Sequence, residues 1–179
     1  MHPQLQEIAD DFDRASTRLH SLLARVPDER WNVRSAHGGW SVAECIEHLN
    51  LTAEVFVPGL RAAVEAGQGI RAKPGQKFRR DVMGWLLWKI MPPPARMKSK
   101  AIPAFIPAAD AGRAEIVARF EDFQHKQLDV LRAADGLDLQ ALRVPSPVNA
   151  KIRYNLYAAF GIIPRHQHRH LWQAEQTLL

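Results

Sequence analysis

The chain has 179 residues, 46% of them hydrophobic, with one cysteine and a net charge of +5. That length allows one domain (1–179) with a real core, and a lone cysteine excludes an internal disulfide framework. No run approaches the roughly 18 apolar residues of a membrane span, and Met1-His2-Pro3-Gln4-Leu5 lacks the basic start and apolar run of a signal peptide, so a cytoplasmic protein is expected.

Four segments carry a helical period and none a convincing strand period, which predicts an all-α fold. The first covers about residues 3–26, where Leu5, Ile8, Phe12, Ala15, Leu19, Leu22 and Val26 alternate by three and four. The second starts at Ser41, with Glu44 three residues on, a capping-box pattern. Val42, Cys45, Ile46, Leu49, Ala53, Phe56 and Leu60 form its stripe, and it fades before Gly67. The third is expected to begin near Asp110, a good N-cap, and to stop before Gly136. The fourth runs from about Tyr154 to the C-terminus, with a kink expected at Pro164.

Between the second and third helices lie more than forty residues. Antiparallel neighbours need only a short loop, so this length suggests parallel helices joined by a crossover. Segment 67–109 carries nine basic residues against the single acid Asp81, a net +8, so the rest of the chain sums to −3. The basic pI therefore belongs to one connection, which argues against nucleic-acid binding by the whole domain. Within it, Asp81 to Met91 reads as a short apolar helix carrying Trp85 and Trp88, and the prolines from Pro92 to Pro107 read as irregular chain laid over one end of the bundle. The tryptophan helix could touch a membrane surface, but its one-sided length and prolines favour a lid over a cavity. Arg96 and Lys98 would then guide an anionic substrate, with Trp85 and Trp88 lining its pocket.

Three histidines carry the most chemistry. His166 and His170 stand four apart, on one helix face with Cβ atoms roughly 5–6 Å apart. His48 lies seven residues after Ser41, roughly 10 Å up its helix, and His170 lies roughly 13 Å from the C-terminus. If those two helices are antiparallel, the heights nearly match. Three neutral imidazoles suit Zn, Ni, Cu or Fe(II), with open positions for water or substrate. Glu44, Glu47 and Gln173 are candidate partners for the outer ring nitrogens. His168 points about 200° from His166 on an ideal helix and is not expected to ligate. His20, His37 and His125 read as surface or capping residues, and Cys45 as a small core residue rather than a nucleophile.

Gly39-Trp40-Ser41-Val42-Ala43-Glu44 with Glu47-His48-Leu49, and His166-x3-His170-x2-Gln173, resemble the motifs of the DinB-like superfamily. Pro94-Ala95-Arg96-Met97-Lys98 is similar to the connector of its larger-insert branch. The resemblance implies a four-helix bundle of up-down-down-up topology. It also implies a divalent metal, often nickel or zinc, on His48, His166 and His170. Relatives include thiol-dependent S-transferases, a mycothiol-dependent maleylpyruvate isomerase and some hydrolases, so a low-molecular-weight thiol is the implied partner of a small-molecule substrate. Dimers are common among them. Arg169 stands where relatives often carry another histidine. The alternative is a non-catalytic module that docks an acidic partner through the basic connector.

Overall fold

The computed structural model describes residues 1–34, 39–94, 102–108 and 112–178. Five helices and one two-stranded sheet make up the described regular structure, apart from short 3-10 turns. They are α1 (Pro3–Leu23), α2 (Val42–Ala66), α3 (Val82–Ile90), α4 (Arg113–Ala133) and α5 (Leu156–Gln176), with strands β1 (Arg143–Ser146) and β2 (Asn149–Asn155) between α4 and α5. Among the described residues no helix is long and apolar enough to cross a membrane.

The four long helices follow the four periodic segments. α2 packs against α4 and α5, and α1 packs against α5 and α4. Two apolar clusters fill the interior. One joins Leu5, Ile8 and Phe12 of α1 to Phe56 and Leu60 of α2, Leu128 and Leu131 of α4, and Leu156 and Phe160 of α5. The other joins Leu19 and Leu22 to Val42, Ile46 and Leu49, to Ile116 and Phe120, and to Leu171 and Ala174. Three buried amides also meet inside the bundle. The Gln167 amide donates to Gln124 at 2.6 Å and Gln127 at 3.1 Å, and Gln124 donates to Ser16 at 2.9 Å. Buried amides paired in this way fix a register, because any slip would leave them without partners.

The capping box is present: Glu44 N–H donates to Ser41 Oγ at 3.1 Å, and Ser41 N–H to Glu44 at 2.8 Å. The third bundle helix, α4, begins at Arg113 behind Gly112, which supplies no side-chain cap. Asp110, expected in that role, lies outside the described residues, as do His37, Arg96, Lys98 and Lys100.

An entirely helical fold was the expectation, and the hairpin corrects it. β1 and β2 pair antiparallel with an irregularity between Pro145 and Ser146. Tyr154 belongs to β2, and α5 starts two residues later, where Asn155 caps the Ala158 N–H at 2.9 Å. The strand period was hidden because β2 is largely exposed and carries no apolar alternation. Pro145, on a strand of a two-stranded sheet, interrupts the other run.

The short apolar helix is present as α3, lying along α5 and touching β2. Gly84 permits that contact: a Cβ there would sit 2.3 Å from the Ala158 Cβ. Gly84→Ala is therefore expected to push α3 off α5. Overpacking costs about 1–3 kcal/mol, and better helix propensity returns only about 1. A lower thermal midpoint checks this; an unchanged or higher one would mean that α3 is loosely held. The outer face of α3 leaves Val82, Met83, Trp85, Leu86 and Ile90 exposed.

Candidate metal centre

His48 comes from the second turn of α2, just beyond the capping box. His166 and His170 come from the later half of α5. One nitrogen from each of the three lies within 4.8 Å of the others. Nε2 of His48 and Nε2 of His166 are 3.3 Å apart. Zn–N bonds of about 2.0–2.1 Å place two ligand nitrogens roughly 3.3 Å apart across a tetrahedral angle, so this pair already has the separation of a chelate.

The surroundings decide which lone pairs face inward. His48 Nδ1 lies 2.8 Å from the Phe105 carbonyl, in a 3-10 turn of the crossover (Pro103–Phe105). A carbonyl only accepts, so Nδ1 carries the proton and Nε2 offers its lone pair to the cluster. Nδ1 of His170 is buried without a hydrogen-bond partner among the described residues. Trp40, one residue before the α2 cap, lies with its ring 4.7 Å from that of His48 and 5.8 Å from that of His170. The Phe105 ring meets His48 edge-on at 6.3 Å. These two rings wall the cluster, and neither was expected there.

Burial holds the three imidazoles in their neutral form. It lowers His48, pushes His166 down to about 3, and takes His170 well below its ordinary range. The neighbouring histidines and Arg169 lower His166 and His170 further. Neutral imidazole is the form that ligates, so the site favours a metal over protons at neutral pH. Stability follows the same titration. An unfolded histidine takes up its proton near pH 6.5, while folded His166 stays neutral to about 3. The metal-free protein therefore has its full stability above about pH 6.5 and loses it as pH falls toward 3. The slope reaches about 1.4 kcal/mol per pH unit for each such histidine. Urea midpoints of metal-free protein should drop between pH 7 and pH 5, and His166→Gln should flatten that slope. A midpoint that holds steady across the interval would contradict this.

The carboxylates expected near the outer nitrogens serve elsewhere. Glu44 is clasped by Arg34, which holds its carboxyl below the usual range, and Glu47 takes Arg119 at 2.6 Å and Asn50 at 2.9 Å. Only Gln173 bears on the cluster, through a side-chain hydrogen bond that favours the charged form of His170. His168 turns away and meets Asp11 at 3.2 Å. His20 is exposed beside Glu121. Cys45 is fully buried and its thiol is pushed far up by burial, which fits a core residue. Trp85 is exposed, with Lys89 over its ring, whereas the ring of Trp88 is stacked by Arg165 of α5 and by Arg80. A surface cleft of about 550 Å³ lined by Trp31, Arg113 and Glu121 contains none of the three histidines.

The sequence model of the DinB superfamily matches residues 11–174. The chain belongs to the DinB superfamily. The match runs from α1 through α5 and includes all three histidines. No curated protein and no solved structure matches this DinB chain.

Proposed function

We propose that the protein is a metal-dependent enzyme acting on a small molecule, with a divalent ion, nickel or zinc, held by His48, His166 and His170. The observation that carries this reading is the convergence of three neutral imidazole nitrogens within 4.8 Å, one of them aimed by the Phe105 carbonyl. A bound divalent ion supplies Lewis acidity there, lowering the pKa of a thiol or of water. The chain's own residues do the rest. Phe105 fixes the His48 tautomer and sets its ring edge-on to that of His48, and Trp40 lies against the rings of His48 and His170.

The whole chain is read as one bundle running up-down-down-up, with 67–109 as its cover. The two apolar clusters support this. The first half of α1 shares its cluster with the second halves of α2 and α4 and with the first half of α5. The reaction best suited to a thiol-activating centre is S-transfer to an electrophile, with hydrolysis as the water counterpart. The test is turnover of metal-loaded protein with low-molecular-weight thiols and electrophilic acceptors. Activity should vanish in His166→Ala, and a panel blank for both proteins would refute the catalytic reading.

A second reading, a docking module that also pairs with its own copy, is favoured by one observation. The outer face of α3 exposes five apolar side chains, and the sequence that follows α3 is basic. It predicts that replacing Arg96, Lys98 and Lys100 abolishes binding of an acidic partner while replacing the histidines does not.

A further inference from the structure

We propose that Arg80 and Arg165, stacked on the ring of Trp88, form a binding site for an oxyanion group, a carboxylate or a phosphate, on a small molecule. The Arg80 guanidinium carbon lies 4.1 Å from the Trp88 ring centroid and that of Arg165 lies 3.4 Å from it. The two cations are therefore less than about 8 Å apart on geometry alone. Among the described residues, neither is in an ion pair with a carboxylate. Glu7 acts on Arg80 and Asp11 on Arg165 only at a distance, and Asp11 is bonded to His168 and Arg14.

The seat is built rather than accidental. Arg80 rests over the Tyr157 ring at 4.8 Å and is pressed onto α5 at Gly161, where a Cβ would sit 2.9 Å from its Nη2 and 3.5 Å from Trp88. Its side chain is hydrogen-bonded to Tyr157, and its buried Nε has no acceptor among the described residues. Arg165 spends Nη1 on the Trp88 carbonyl at 3.2 Å, which leaves Nε and Nη2. Planar guanidinium forks match oxyanions in bidentate geometry, and an aromatic face holds them without using their N–H groups. Apolar side chains alone would join α3 to α5. Two like charges on one ring are costly there unless an anion meets their outer N–H edges.

The position suits a substrate. Arg165 precedes His166, and consecutive residues point about 100° apart around a helix. Arg169 falls between them in direction, and its charge is felt by both His166 and His170. A ligand with its oxyanion on Arg80 and Arg165 would extend along this flank of α5 toward the histidines. The oxyanion site stands by itself; its service to a reacting group rests on the proposed metal centre.

The test is titration of the full-length protein with succinate and with inorganic phosphate at constant ionic strength, followed by calorimetry and tryptophan emission. Saturable binding is expected, with an emission change that Trp88→Phe lacks. Arg80→Gln and Arg165→Gln should each weaken binding at least tenfold, and Arg165→Lys, which keeps charge but loses the fork, should fall between. Binding of succinate alone marks a carboxylate ligand, and of phosphate alone a phosphoryl one; either supports the site. The His166→Ala, His170→Ala double variant should still bind the anion, which separates this site from the metal centre. Saturable binding by neither anion overturns the proposal. So does binding that survives both arginine substitutions and disappears with the histidines. Should Arg80→Gln unfold, Arg165→Gln and Arg165→Lys decide.

Discussion

Protein purified without a histidine tag is expected to carry one divalent ion per chain, and His166→Ala with His170→Ala to carry none. The effect should be large because the three donors are already neutral and within 4.8 Å, so little reorganisation opposes binding. Losing an outer partner typically costs 10–100-fold in metal affinity, and losing a ligand itself should cost at least about 100-fold. Binding to the folded state alone stabilises by about 4 kcal/mol at a metal concentration 1,000 times Kd. At about 2–4 °C per kcal/mol for a chain of this size, metal should raise the thermal midpoint by roughly 8–16 °C. The double variant should show no such rise. Elemental analysis and paired melts read both effects, and a metal-free protein with an unmoved midpoint would end the metal reading.

The sequence carried this centre unevenly, for physical reasons. His166 and His170 are legible because helical spacing alone puts them on one face. His48 was reachable through its distance from Ser41, since a capping box fixes where a helix starts. Trp40 and Phe105 were not legible as walls of the site. Their roles come from chain returning over the bundle end, and no local period encodes that return. The Phe105 contact is harder still, because every residue has a carbonyl and only the fold selects one. Glu44 and Glu47 misled for the converse reason. A carboxylate near a histidine in sequence still goes to the nearest cation in space, here Arg34 and Arg119. The hairpin escaped notice because exposed strands with proline and no alternation look like loop. Arg80 and Arg165 are far apart in the chain and meet only through Trp88.

Asp81→Ala is expected to be among the most damaging single changes outside the histidines. The Asp81 carboxylate accepts the Gly84 N–H at 2.8 Å, capping α3, and the Asn155 N–H at 2.9 Å at the start of α5, and it is paired with Arg143 of β1. One side chain thus joins the crossover, the hairpin and α5. Loss of a cap costs about 1 kcal/mol, and a shielded N–H left without an acceptor about 1–3 more. The ion pair with half-exposed Arg143 adds little, since exposed pairs contribute under about 1 kcal/mol. A loss of about 2–4 kcal/mol, or roughly 4–16 °C in midpoint, follows. Asp81→Asn keeps one acceptor and should lose less than half of that. Asp81 sits where α5 starts, and the histidines lie more than two turns further on, so metal affinity should stay within about 2-fold; distant sites act independently. Oxyanion binding should weaken, because Arg80 is the neighbour of Asp81 and α3 carries Trp88. Metal and oxyanion affinities falling together would show that α3, α5 and the histidine cluster move as one unit, contrary to the separation of the two sites argued above.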